Sequence, residues 1–225
     1  MIKVYKNTEK IPDCLEKGKA YNCDGVKKEL AAIYNNKCCY CETKLTKNFE
    51  IEHFRPKEKY RWLEKSWSNL LFVCSSCNKS KSNKFETSNG NLFESQENID
   101  VHKSAAFLNE TEKPFFLHPE YDEIENFFAF EKGGKIISKE NNERADYTIK
   151  HTNLNQAELI KARYEIIENF RKQSNNQLDK ADLKKNITEF TKKAYNSKSE
   201  FSAFRKYIVK NCLKDILNDI LINSK

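Results

Sequence analysis

No run of 18 apolar residues occurs in the 225-residue chain, so no membrane-spanning helix and no membrane partner are expected. The opening stretch, MIKVYKNTEKIPDCLE, lacks the apolar centre of a signal peptide. The expected setting is cytoplasmic and reducing, where paired cysteines serve as metal ligands more often than as disulfides. No Gly-x-x-x-x-Gly-Lys-Ser/Thr pattern is present, which excludes nucleotide hydrolysis on a phosphate-binding loop of this kind. Internal repeats and low-complexity tracts are also absent. Apolar residues make up 38% of the sequence and charged residues 32%. That balance supports a core of modest size, in one compact domain or a small domain with an appended one.

Charge is plentiful and unevenly placed. The net charge is +7. Between Phe54 and Lys84 eight Lys/Arg stand against two Glu, a balance of +6. Between Glu86 and Glu125 ten Asp/Glu stand against Lys103 and Lys113, a balance of −8. The basic stretch suits a phosphate backbone. The acidic band is either a docking face for a partner protein or an ordinary solvated surface.

Four of the eight cysteines form two Cys-x-x-Cys pairs, Cys38/Cys41 and Cys74/Cys77. Two such pairs predict a closed, structural zinc site. Cys39 lies inside the first pair and reads as a bystander, with a place among the ligands as the alternative, and Cys14, Cys23 and Cys212 read as ordinary thiols. The 32 residues between Cys41 and Cys74 exceed what a simple zinc ribbon needs. NFEIEH, from Asn48 to His53, alternates and predicts a strand ending at His53. A loop opened by Arg55-Pro56 follows. CSSCNKSKSNK then predicts a helix starting at Ser75 or Ser76. Strand, loop and helix clamped by cysteine knuckles make a ββα-metal arrangement.

Glu52-His53 at the strand end, Asn69 in the middle and Asn78 directly after the second cysteine pair resemble the signature of HNH endonucleases, in the variant with Asn at the third position. The fuller text, C-x-x-C-E, I-E-H-F-R-P-K, W-x-N-L and C-x-x-C-N-x-x-K, is most similar to the small HNH nuclease subunits of Septu-type and retron-associated anti-phage systems. LHPEYDEIENFFAF, YTIKHTNLN and LIKAR extend the resemblance over Asp24 to Arg163. It implies a phosphodiester hydrolase acting on nucleic acid, with DNA favoured over RNA, and an ATPase partner on another chain. It implies His53 as the base that activates water, with Glu52 and Asn78 as oxygen ligands of a catalytic Mg²⁺ or Mn²⁺. Asn69 resembles the family Asn that fixes the loop and the His53 ring. Glu52 departs from the Asp more often found there; its carboxylate sits one methylene farther out.

The residue chemistry is compatible with these roles. A neutral imidazole can take a proton from water near pH 7. Carboxylate and amide oxygens suit a hard cation, whereas thiolates suit zinc. Arg55, Lys57 and Lys81 read as phosphate contacts. Two other readings stand beside this one: a ribonuclease with the same active site, and a non-catalytic zinc-knuckle module that only binds nucleic acid.

The expected fold class is α+β: a ββα-metal core with structural zinc knuckles and a mainly helical C-terminal part. The expected divisions are residues 1–34 as an N-terminal strand and helix, 35–90 as the nuclease core, 91–140 as an acidic loop and hairpin region, and 141–225 as helical. Within them the pattern predicts an edge strand at Met1–Tyr5 and a helix capped by Asp24. Phe85–Pro119 reads as loop, with few helix-length patterns. A hairpin is predicted around Gly133-Gly134, then a helix from Gln156 to Lys172 capped by Asn155 and broken by the polar stretch Gln173–Gln177. A last helix spans Ser199–Ile222. Tyr60, Trp62 and Trp67 are expected to pack the loop rather than stack on bases.

Overall fold

The computed structural model of the chain describes residues 1–95, 98–175 and 180–223. It is an α+β structure. The chain opens with a short helix α1 (Asp13–Glu16) and the helix α2 (Asp24–Ile33), which buries Val26 and Leu30 one turn apart. Cys23, not Asp24, is the residue before α2, and it makes no side-chain cap. After α2, Asn35 and Asn36 both take left-handed backbone, with φ of 53° and 55°. Asn tolerates that region better than most residues, and the two turn the chain into the first knuckle.

Strands β1 (Phe49–His53) and β2 (Leu70–Cys74) pair antiparallel, with Phe49 opposite Cys74 and His53 opposite Leu70. Leu70–Val73 is buried throughout. The Phe72 ring lies between Tyr34 from the α2 side and Phe49 from β1, with centroids 6.5 and 4.5 Å away. Helix α3 (Ser75–Lys81) follows β2 without a break, because the Cys74 Sγ caps it by accepting from the Cys77 amide. Strand, strand and helix thus form the expected ββα unit.

Helix α4 (Ala105–Glu112) lies in the stretch read as loop. The hairpin β3 (Phe128–Phe130) and β4 (Ile136–Ser138) is where the pattern places it. Gly134 has φ +89°, and a Cβ there would sit 2.4 Å from the Ile160 carbonyl. The hairpin turn therefore rests directly on the helical layer. That layer comprises α5 (Glu143–His151), α6 (Ala157–Asn175), α7 (Lys180–Tyr195), α8 (Ser202–Asn211) and α9 (Leu213–Asn223). Asn155 does not spend its side chain on a cap. Its amide donates to the Ile136 carbonyl and accepts from the Ile136 amide, at 2.8 and 2.9 Å. Helix α6 continues to Asn175 through the first part of the predicted break, while positions 176 and 177 lie outside the described residues. The predicted last helix is two helices, separated where Cys212 leaves helical backbone at φ −129°.

Three other expectations are corrected. Met1–Tyr5 is not a strand: its tie is the Val4 amide to the Pro119 carbonyl (2.8 Å), which is no ladder. The acidic band does not simply face outward. Glu112 pairs with Arg55 at 2.6 Å, Glu120 with Lys6 at 2.9 Å and Asp122 with Arg144 at 2.7 Å, so three of its carboxylates bind this segment to the rest of the molecule. Cys14 and Cys23 are not free thiols but a disulfide, because the turn between them brings their Cα atoms to 6.5 Å. Tyr60 and Trp67 are buried, as the packing reading requires.

Candidate active site

The four knuckle cysteines converge. The Sγ atoms of Cys38, Cys41, Cys74 and Cys77 all lie within 4.8 Å of one another. Cys41 and Cys74 are 3.8 Å apart. Four thiolates about 2.3 Å from one zinc ion stand roughly 3.8 Å from each other, so this cluster fits a tetrahedral zinc site. Burial pushes the Cys38 thiol up, but hydrogen bonds from Cys39, Cys74 and Cys77 bring it down to about 5. Cys39 lies outside the cluster, and burial together with its neighbour Cys38 keeps it a thiol. Among the described residues no other group of three or more His, Cys, Asp or Glu side chains converges in this way.

The other face of the ββα unit carries an open groove lined by Tyr21, Glu52, His53, Lys57, Asn78 and Lys79, among others. Strand β1 delivers Glu52 and His53 at its end, and α3 delivers Asn78 one residue after Cys77 of the knuckle. The His53 Nε2–H donates to the Glu64 carbonyl at 2.9 Å, which leaves Nδ1 as the ring's basic atom. Burial lowers the His53 pKa, Lys57 and Lys81 add to this, and the Glu64 carbonyl opposes it. The imidazole is therefore neutral near pH 7. Burial raises the Glu52 carboxyl, and the ammonium of Lys81 pulls it back. The Asn78 amide nitrogen donates to Glu50, leaving its oxygen as the acceptor end.

Asn69 belongs to the loop that joins the strands. Its Oδ1 accepts from the Arg55 amide at 2.8 Å and its Nδ2 donates to the Arg55 carbonyl at 3.0 Å. It fixes the loop; the His53 ring is fixed by Glu64 instead. Lys57 stays at the groove. Arg55 and Lys81, expected as phosphate contacts, do not. The Arg55 guanidinium is 1% exposed and is held by Glu112 and Asn109. Lys81 is fully buried, with its ammonium on Glu52 and on the His53 carbonyl at 3.0 Å. A buried cation needs such partners, and these consume the donors a phosphate would use. Tyr21 was missed, because nothing in its local sequence marks it. Only the flanking Cys14 and Cys23 hint that its loop is closed.

A ββα unit with a four-cysteine knuckle and a groove that brings together a carboxylate, an imidazole and an amide has the arrangement of the HNH class of nuclease folds. Residues 38–84 match the HNH endonuclease family, and this segment is an HNH endonuclease domain. Beyond it the chain is similar to the Septu protein PtuB of Bacillus mycoides (strain KBAB4), 32% identical over 163 residues that cover 65% of this chain and 52% of that protein. It is also similar to the Septu protein PtuB of Bacillus thuringiensis, 45% identical over 67 residues, covering 28% of this chain and 24% of that one. Septu protein PtuA of the same Bacillus mycoides strain is 25% identical over 159 residues, covering 64% of this chain and 21% of that protein. The chain spans about half the length of the first relative and about a quarter or less of the other two.

Proposed function

We propose that the protein is a metal-dependent endonuclease that hydrolyses phosphodiester bonds of DNA, as the nuclease component of an anti-phage defence assembly. The observation that carries this reading is the meeting of Glu52, His53 and Asn78 on one open groove bordered by Lys57 and Lys79. His53 takes a proton from the attacking water at Nδ1 while Glu64 holds the opposite ring nitrogen. Glu52 and Asn78 offer one carboxylate and one amide oxygen, a donor set that fits Mg²⁺ or Mn²⁺ with water and substrate completing the shell. Such an ion supplies charge stabilisation at the phosphate and the leaving oxygen. Lys81 keeps Glu52 ionised and oriented inside its buried setting. Lys57 meets the phosphate backbone. With the 3′ oxygen as leaving group, the products carry 5′-phosphate and 3′-hydroxyl ends. Cys38, Cys41, Cys74 and Cys77 hold a structural zinc ion, and Asn69 keeps the connecting loop in shape.

The similarity to three Septu proteins supports a defence role, and a separate ATPase chain is the expected partner in a cytoplasmic complex. Nuclease reach must be controlled from outside, since the groove addresses the phosphate that every nucleic acid carries. Co-expression with the neighbouring ATPase, followed by assays on plasmid, single-stranded DNA and total RNA, tests the reading. Cleavage of DNA that is abolished by His53→Ala, with the melting curve nearly unchanged, is the expected result. Cleavage confined to RNA would move the substrate, and wild-type cleavage by His53→Ala would remove His53 from the mechanism.

A further inference from the structure

Tyr21 contacts the imidazole of His53 edge-to-face, with ring centroids 4.5 Å apart and planes at 71°. The Lys57 ammonium lies 5.5 Å from the same tyrosine ring. Tyr21 thus stands between the two groove residues most directly aimed at substrate. It comes from neither the ββα unit nor its connecting loop, but from the turn between α1 and α2. Residues 16–20 are exposed, while Cys14, Tyr21 and Cys23 pack against the edge of the core. Two tethers cross to the turn. One is the Cys14–Cys23 disulfide, which closes the turn around Tyr21. The other is the Lys65 ammonium donating to the Gly18 carbonyl at 2.6 Å. Gly25 sits against the bridge: a Cβ there would stand 3.0 Å from the Cys14 Sγ. Both cysteines are half-buried.

We propose that Tyr21 is a positioning residue for His53, and that the Cys14–Cys23 disulfide, by holding Tyr21 in place, couples the rate of cleavage to the thiol–disulfide state of the protein. The inference rests on the reading of His53 as the base. Glu64 holds the ring at one nitrogen, and the T-shaped contact with Tyr21 supplies a second constraint on its rotation. Opening the turn is a thiol–disulfide exchange with a dithiol. The dithiol gives two electrons and two protons, the Cys14–Cys23 bond breaks to two thiols, and the dithiol's own sulfurs join. In a reducing compartment a disulfide is most often of this reversible, sensing kind. Oxidation then sets the active geometry and reduction relaxes it.

The experiment pairs a kinetic with a spectroscopic measurement on the full chain. The variants are Tyr21→Leu, Tyr21→Phe and the double Cys14→Ser/Cys23→Ser, each checked for melting temperature and zinc content. The serine pair removes the bridge without a reductant that competes for zinc. Tyr21→Leu and the serine pair should each lower kcat by about tenfold to a hundredfold, the range a misplaced catalytic group commands. KM should stay within about twofold, because the lost contact is to His53 and not to substrate. Tyr21→Phe should restore the rate. In parallel, the His53 ring-proton resonances, identified among four histidines by their loss in His53→Ala, should shift in Tyr21→Leu and in the serine pair but not in Tyr21→Phe. Wild type treated with dithiothreitol, its zinc retained, should match the serine pair. Unchanged resonances and kcat in Tyr21→Leu would overturn the positioning role. A serine pair that behaves as oxidised wild type would overturn the redox coupling. If wild type co-expressed with the ATPase cleaves no substrate, the nuclease reading fails, and the resonance shifts still decide whether Tyr21 orders His53.

Discussion

Arg55 and Lys81 illustrate how little a charged letter reveals about its surroundings. The residue types of the groove were readable, because Glu52, His53 and Asn78 stand at recognisable offsets from a strand end and a cysteine pair. The partners of Arg55 and Lys81 were not, because they stand 57 and 29 positions away in sequence. A buried cation that loses its counter-charge is costly, by roughly 3–5 kcal/mol. Glu112 accepts from Arg55, from the Tyr60 hydroxyl at 2.7 Å and from the Phe93 amide at 2.8 Å. Glu112→Gln should therefore lower stability by about that amount, read as a shift of the urea midpoint with the denaturant slope unchanged. His118 gives a second prediction. It is fully buried, its Nδ1 accepts from the Glu120 amide at 3.1 Å, and its Nε2 has no partner among the described residues. Burial lowers its pKa well below the ordinary 6.5, and Lys6, Arg55 and Arg144 push the same way. Glu120 and Asp122 also pack near it, but Glu120 is bound to Lys6 and Asp122 to Arg144. The folded value lies below the unfolded one, so the unfolded chain binds the extra proton. The contribution of His118 is complete above pH 6.5 and is lost as pH falls below it. Melting temperatures of wild type should drop between pH 7.5 and 5.5 more than those of His118→Gln; equal slopes would exclude His118 as a source.

At the scale of elements, the ones that were legible carry their own signal. Strand β1 alternates, β2 is an unbroken apolar run ending in a knuckle cysteine, and the hairpin of β3 and β4 is marked by paired glycines. Those that were missed depend on distant contacts. Helix α4 is short and nearly neutral in pattern, and it forms where its last residue, Glu112, can reach Arg55. The segment Met1–Tyr5 has strand-forming residues but finds no neighbouring strand to pair with. The knuckle is the element on which the others converge. Cys41→Ser and Cys77→Ser should each lower the zinc content of purified protein and its helical signal together, because structural zinc contributes on the order of 10 kcal/mol to small domains. About one zinc per chain is expected in wild type on the four-ligand argument. A quadruple Cys→Ser protein that folds normally without zinc would remove the metal from the folding account.

Across the whole molecule the helical layer is bolted to the knuckle. The Lys37 ammonium donates to the Ser199 carbonyl at 2.9 Å and to the Ser202 hydroxyl at 3.0 Å, and Ser202 in turn donates to Glu42 at 2.6 Å. The Lys44 amide donates to Glu200 at 2.6 Å, and Ser76 to Gln156 at 2.8 Å. Loss of zinc should therefore loosen the molecule at large, whereas loss of an ion from the groove should cost activity alone. Asn78→Ala should leave bound zinc and the melting curve intact yet raise the Mg²⁺ or Mn²⁺ concentration needed for cleavage; Glu52→Gln should also keep its zinc and raise that concentration, but it should lower the melting temperature as well, because it takes the counter-charge from buried Lys81. Two oxygen donors hold a hard cation weakly and exchangeably, while four thiolates hold zinc tightly. Brief chelator treatment should stop cleavage before the melting temperature falls, and Mg²⁺ or Mn²⁺ alone should restore it. The measurement is a metal titration of wild type and both variants with zinc determined in parallel. Recovery by Zn²⁺ but not by Mg²⁺ or Mn²⁺ would eliminate the separate groove ion, as would titration curves of both variants that overlay the wild type.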